Sequence, residues 1–259
     1  MRDKLTELDT KIIEKTPLIH CIMGAVSANF CANGVLSLGA KPIMAQHICE
    51  VREITASSDA LLVNFSGIIG ESAWVMCRAI ATANKKNIPV VLDVVGIACS
   101  RYRYMLAKRL INKYNPDVIK GNFSEIYALF DKSYKSTGVD NCGEISLQNM
   151  IRISGTLAKK YNTIILASGE TDIVCDGTHC YLVKNGVARL TEITATGCLL
   201  GAIVATFSAC ERSVISVVAA CARLGLAGET AATYGDCFSV RLLDCLRETE
   251  YKNLKIEES

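Results

Sequence analysis

Four short runs in this chain are apolar almost from end to end, and each is broken by Asp, Gly or Asn. They are "DALLVNFSG" (59–67), "IPVVLDVVG" (88–96), "PDVIKGN" (116–122) and "NTIILASGE" (162–170). Stretches with helical periodicity lie around and between them, over 70–86, 100–114, 122–131 and 145–161. A strand that is apolar on both faces needs cover on both faces. Strands of this kind alternating with helices therefore predict an α/β fold with a central, mostly parallel sheet flanked by helices on both sides. Beyond 170 the pattern changes. "TDIVCDG" and "HCYLVKNG" flank a tight turn and read as a hairpin at the sheet edge. The rest is helical, over 196–210, 213–234 and 238–250. No Pro/Ser-rich linker, repeat or low-complexity tract divides the chain, so residues 1–259 are expected to form one domain. The polar segment 131–144 reads as a surface loop.

Composition removes several function classes. Half the residues are apolar and the formal net charge is +2, with a mean hydropathy of +0.27. The basic residues are scattered, so no face is expected to hold nucleic acid or an anionic membrane. The stretches 198–210 and 213–228 are split by Glu211-Arg212, and neither is long enough to span a bilayer. The first 15 residues alternate in charge and do not resemble a signal peptide. Thirteen cysteines occur without a Cys-x-x-Cys pair, and Cys175 and Cys180 are the closest two. Reduced thiols in a cytoplasmic protein are the expectation.

In an open parallel sheet, ligands bind beyond the carboxyl ends of the strands. The polar residues that end the runs are therefore the first candidates for chemistry: Asn64, Asp93, Lys120, Asn122, Ser168 and Glu170. No dinucleotide-binding or Walker-type glycine motif is present. The small residues of "TEITATGC" (191–198) open a helix, which is either an anion site built from free backbone N–H groups or an ordinary helix start, since small residues begin many helices. Asp93 either caps a turn or faces the crevice, where it would hold a divalent cation. Asn122 and Glu125 have capping-box spacing. Lys120 is either a phosphate ligand or a solvated charge. Met44, in "AKPIMA", reads as core packing, and the spacing suggests no partner for His20 or His47.

Taken in order, "ANFCANGVLSLGAKPIMA" (28–45), "VVLDVVG" (90–96), "VIKGNFSEI" (118–126), "LASGETDIVCDG" (166–177) and "ITATGC" (193–198) resemble the hydroxyethylthiazole kinases. The resemblance runs from about residue 5 to 245. It implies a ribokinase-like fold, a homotrimer with active sites at subunit interfaces, and transfer of phosphate from ATP, with Mg²⁺, to a thiazole alcohol in thiamine salvage. By the same resemblance Met44 and Ala195 contact substrate, and Lys120, Ser168, Thr194 and Gly197 contact ATP. Asp93 and Glu125 lie near Mg²⁺ and the phosphates. Cys198 lies beside the substrate hydroxyl, and its place at a helix N-terminus predicts a lowered thiol pKa, suited to handling the alcohol proton.

Four positions depart from the family pattern. Met23-Gly24 replaces Thr-Asn, Val94 replaces Pro, Lys120 replaces Arg, and Ala195 replaces Gly. The rival expectations are a kinase for another vitamin alcohol, an NAD(P)H-hydrate dehydratase, and a thiazole-binding protein with impaired catalysis.

Overall fold

The four apolar runs are the central strands of a nine-stranded sheet. In the computed structural model, which describes residues 1–68, 70–131, 133–134 and 145–259, they are β3 (Ala60–Asn64), β4 (Val90–Asp93), β5 (Val118–Asn122) and β6 (Ile164–Ser168). Two further parallel strands, β1 (Leu18–Ile22) and β2 (Lys41–Ile43), extend the sheet on one side. On the other side lie β7 (Asp172–Cys175), β8 (Cys180–Val183) and β9 (Ile256–Glu258), all antiparallel. The strand order is β2-β1-β3-β4-β5-β6-β7-β8-β9. The expected hairpin is present as β7–β8 but is not the edge, because β9 pairs outside it. Most of the 131–144 segment, read from the sequence as a surface loop, lies outside the described residues.

Successive strand residues feed opposite cores, as the two-residue period of a strand requires. Ala60 and Leu62 of β3 face one core, and Leu61 and Val63 face the other. The first core is closed by α1 (Arg2–Lys15), α2 (Ala25–Ser37), α8 (Thr196–Cys210), α9 (Val214–Ala232) and α10 (Phe238–Glu248). The second is closed by α3 (Val51–Ala56), α4 (Ser72–Lys86), α5 (Arg101–Tyr114), α6 (Phe123–Phe130) and α7 (Leu147–Tyr161). At 19 residues α9 is long and apolar enough to cross a membrane, but 83% of its apolar window is buried inside the fold. It packs against α8 and over β7 and β8.

Local chemistry sets the helix ends. Ser100, Ser146 and Ser213 cap α5, α7 and α9 through their hydroxyls. Asn87, Asn115 and Asn162 end α4, α5 and α7 in the left-handed region, which Asn tolerates better than most residues. Each such turn delivers the chain to the amino end of the next strand, so β4, β5 and β6 point their carboxyl ends the same way.

One composition-based expectation fails. Cys175 and Cys180 form a disulfide, because the β7–β8 register sets them directly opposite with Cα atoms 4.2 Å apart. Cys21, Cys31, Cys198, Cys210 and Cys221 are among the thiols outside this bond.

Candidate active site

Sheet register builds the centre of the site. Asn64 is in register with Asp93, and Asp93 with Lys120, so three neighbouring strands present a row of polar side chains at their carboxyl ends. Asp93 is fully buried, and its Oδ2 accepts from Asn64 Nδ2 at 2.9 Å and from Lys120 Nζ at 3.1 Å. Lys120 Nζ also donates to the Gly197 carbonyl at 2.7 Å. It thereby ties the row to the first turn of α8, which packs over β3 and β4. Lys120 is buried too, which removes the solvated-charge reading: it is paired with Asp93 inside the protein. Burial pushes the Asp93 carboxyl up, with Lys120 and Asn64 pulling it back. Burial also works to lower the Lys120 pKa, but the anionic neighbours, Asp93 foremost, outweigh it and keep the ammonium charged.

Glu125 completes the capping box at Asn122, its Oε2 accepting from the Asn122 N–H at 2.7 Å. Its other oxygen accepts from the Gly96 N–H at 2.6 Å, so the carboxylate also pins the loop after β4. Burial first, then Asp93, raises the Glu125 pKa to about 7. The cap and a role in the crevice are therefore not exclusive.

Asn64, Ser27 and Lys120 all approach Cys198, yet its pKa is raised, contrary to the expectation from its helix position. The cause is burial, reinforced by the Asp93 carboxylate. Together they outweigh Lys120 and the hydrogen bonds from Asn64 and Ser27. The thiol is therefore a neutral group at pH 7. Ala195, the residue before α8, has φ +75°, and no side chain caps the helix. This left-handed conformation explains why glycine is usual there and marks Ala195 as strained. Thr194 and Gly197 are exposed on the same turn. A Cβ at 197 would sit in ordinary contact with Lys120 Nζ, 3.6 Å away.

Ser168 ends β6 beside Asn122 and donates to the Gly121 carbonyl at 3.3 Å. Glu170 is exposed in the turn that follows. Asp172, which sequence reasoning passed over, starts β7 at this same edge. Its Oδ1 accepts from the Gly169 N–H at 3.0 Å, and burial raises its pKa to about 6. It escaped notice because the chain reverses there, so a strand start lies among strand ends.

Met44 does not join this group. It follows β2, three strand positions from β4, or roughly 14 Å at about 4.8 Å per strand. It is half-buried against the first core.

The structure also accounts for the departures. The Val94 N–H donates to the Lys120 carbonyl at 2.9 Å, a bond that proline lacks. The Gly24 N–H donates to Ser66 Oγ at 3.0 Å, and a Cβ at Gly24 would lie 2.9 Å from the Ser66 carbonyl oxygen. An asparagine would not fit there without moving the 64–67 turn. Gly34, inside the "ANGVLSLGAKPIMA" block, lets α2 meet α8 at Leu199, next to Cys198, where a Cβ would come within 2.2 Å of Leu199 Cδ1.

Comparison with known proteins points one way. The model of the hydroxyethylthiazole kinase family matches residues 10–251. A hydroxyethylthiazole kinase of Haemophilus influenzae is 38% identical over 242 residues, 91% of this chain and 90% of the relative. The solved hydroxyethylthiazole kinase protein of Pyrococcus horikoshii superposes with a TM-score of 0.91 at 29% identity, covering 99% of both chains. A ribokinase-like superfamily protein from Enterococcus faecalis shares the fold, at TM-score 0.69 and 13% identity over 96% of this chain and 93% of that one.

Proposed function

The chain belongs to the hydroxyethylthiazole kinase family, and from that premise we propose that it transfers the γ-phosphoryl group of ATP to the side-chain hydroxyl of 4-methyl-5-(2-hydroxyethyl)thiazole, a step of thiamine salvage. The observation that carries the reading is the Asn64–Asp93–Lys120 row bonded to the α8 turn through Gly197. Phosphoryl transfer asks mainly for positioning and for charge stabilisation, and both are present. The first N–H groups of α8, with Thr194 and Gly197 on an exposed turn, suit a transferring phosphoryl group. Lys120 fixes that turn and brings positive charge beneath it. Ser168 and the Asp172-braced turn at Gly169 line the nucleotide side.

Among the described residues no three His, Cys, Asp or Glu side chains converge as a metal cage. Asp93 Oδ1 is a buried carboxylate oxygen without a hydrogen-bond partner. That fits Mg²⁺ held mostly by phosphate and water with one or two carboxylates, so we assign Asp93 and Glu125 to it. When bound, the ion would offset phosphate charge. Cys198, as a neutral thiol, orients the alcohol and does not deprotonate it. Ala195 and Met44 contact substrate. Because Met44 lies so far along the sheet from Cys198, the reading is completed by a homotrimer in which a neighbouring copy's Met44 closes the site.

The alternatives first raised, another vitamin-alcohol kinase, the hydrate dehydratase and a binding protein without catalysis, are not favoured by the family match and the named relatives. The test is thiazole-alcohol-dependent ADP release by the purified protein. Tight thiazole binding without turnover would overturn the kinase assignment.

A further inference from the structure

His20 on β1 takes no part in the chemistry above, yet it is fully buried with both ring nitrogens engaged. Nε2 lies 2.8 Å from the Ala45 carbonyl oxygen, and Nδ1 lies 3.0 Å from Thr55 Oγ1 on α3. A carbonyl only accepts, so Nε2 carries a proton in either charge state of the ring and donates it to Ala45. His20 pairs with Ile43 in the β1–β2 register, so this bond falls two residues past the end of that pairing, on the residue that follows Met44. Gln46 supplies a second tie, its side-chain amide donating to the Met23 carbonyl at 2.8 Å. Between these ties β2 has ended, and residues 44–47 are irregular backbone. A buried imidazole is costly unless hydrogen-bonded, and an apolar residue would fill the same space without holding the loop. Thr55 Oγ1 lies within hydrogen-bond reach of both Nδ1 and the Val51 carbonyl, the latter at 2.7 Å, so its single proton is shared between the ring and the helix.

We propose that His20 is a positioning residue for recognition of the thiazole: its Nε2–H holds the Ala45 carbonyl and so aims Met44 at the substrate ring. The proposal rests on Met44 touching the thiazole. His20→Ala, His20→Gln, Met44→Ala and the His20→Ala/Met44→Ala double variant of the full chain are assayed with thiazole alcohol and ATP varied separately. His20→Ala is expected to raise the thiazole KM about tenfold, the effect of one lost buried hydrogen bond, with the ATP KM within about twofold of the parent. His20→Gln, whose amide N–H reaches where Nε2 does, recovers most of the loss. The double variant is no worse than Met44→Ala, because both changes remove one function.

An unchanged thiazole KM in His20→Ala overturns the proposal, as does an equal loss for both substrates or an additive double variant. If His20→Ala fails to fold, Thr55→Val keeps the side-chain volume and frees the ring; an unchanged thiazole KM there overturns the proposal equally. If Met44→Ala has no effect while His20→Ala does, both the Met44 contact and the proposal fall. If Met44→Ala raises the thiazole KM and His20→Ala does not, only the proposal falls.

Discussion

At the middle of the sheet the carboxyl edge is made of buried charge, and at its outer end it is made of neutral hydrogen bonds. Asp93, Lys120 and Glu125 are all nearly inaccessible and each depends on the others. Around Met44, by contrast, the loop is held by His20 and Gln46 reaching backbone carbonyls, with Met44 itself half-buried. The first region has much to lose from any single change, because removing one partner strands another in a low dielectric. The second loses one bond at a time. Substitutions should therefore separate the regions by size of effect.

The largest effect belongs to Lys120→Met. It leaves Asp93 buried with Asn64 as its remaining donor and should cost about 3–5 kcal/mol of stability, read by chemical denaturation. Adding Asp93→Asn should return most of the stability and none of the activity. If Lys120→Met alone is as stable as the parent, the centre is not held by charge and the contrast collapses.

Glu125→Gln comes next, with a loss of about 100-fold in kcat, the scale of removing one preorganised electrostatic group. It also carries a pH signature. The folded-state pKa of about 7 lies above the ordinary 4.5, so the fold favours the protonated carboxyl. The stability this contributes is complete below pH about 4.5 and is lost as pH rises through 7. Asp172, raised to about 6 from 3.8, acts in the same direction over a lower window. Activity should run the other way, rising toward pH 7 as Glu125 ionises. Glu125→Gln should flatten the stability slope between pH 4.5 and 7 in thermal melts. A slope unchanged in the variant would show that Glu125 does not titrate there.

The contrast also governs what the sequence made legible. Strands β3 to β6 announced themselves because a buried strand is apolar throughout, and Asp93, Lys120 and Glu125 stood out by interrupting or following such runs. The capping box was readable from the spacing of Asn122 and Glu125 alone. β2 and β9 were not readable, being three residues each, one with an exposed lysine and the other with two glutamates. β1 hid because His20 breaks its apolar run. His20 seemed partnerless because its partners, Ala45 and Thr55, lie 25 and 35 residues away, and one of them is a backbone atom. The raised pKa of Cys198 was illegible for a related reason: the helix position is local, whereas Asp93 and the burying side chains arrive by topology.

Ala195→Gly probes the seam between the regions. Relief of the left-handed strain, less the extra freedom glycine gains in the unfolded chain, should stabilise the protein by about 0.5–1 kcal/mol. A raised thermal midpoint with kcat unchanged would mean the α8 turn already has its working shape. A lowered midpoint would mean that the alanine methyl packs usefully and that the positive φ is not a burden.

The smallest effect is expected from Cys198→Ser, although Cys198 sits among the charged groups. Its thiol is raised by burial and by Asp93, so it is neutral at pH 7 and belongs energetically with the hydrogen-bonded region. A hydroxyl keeps the donor and acceptor that Asn64, Ser27 and a substrate alcohol would meet. The loss in kcat should therefore be about threefold or less, under about 1 kcal/mol, with the pH dependence of the parent retained. A loss as deep as that of Glu125→Gln, with the protein still folded, would mean that the thiolate itself takes the alcohol proton. Cys198 would then have to be moved across to the group that acts by charge.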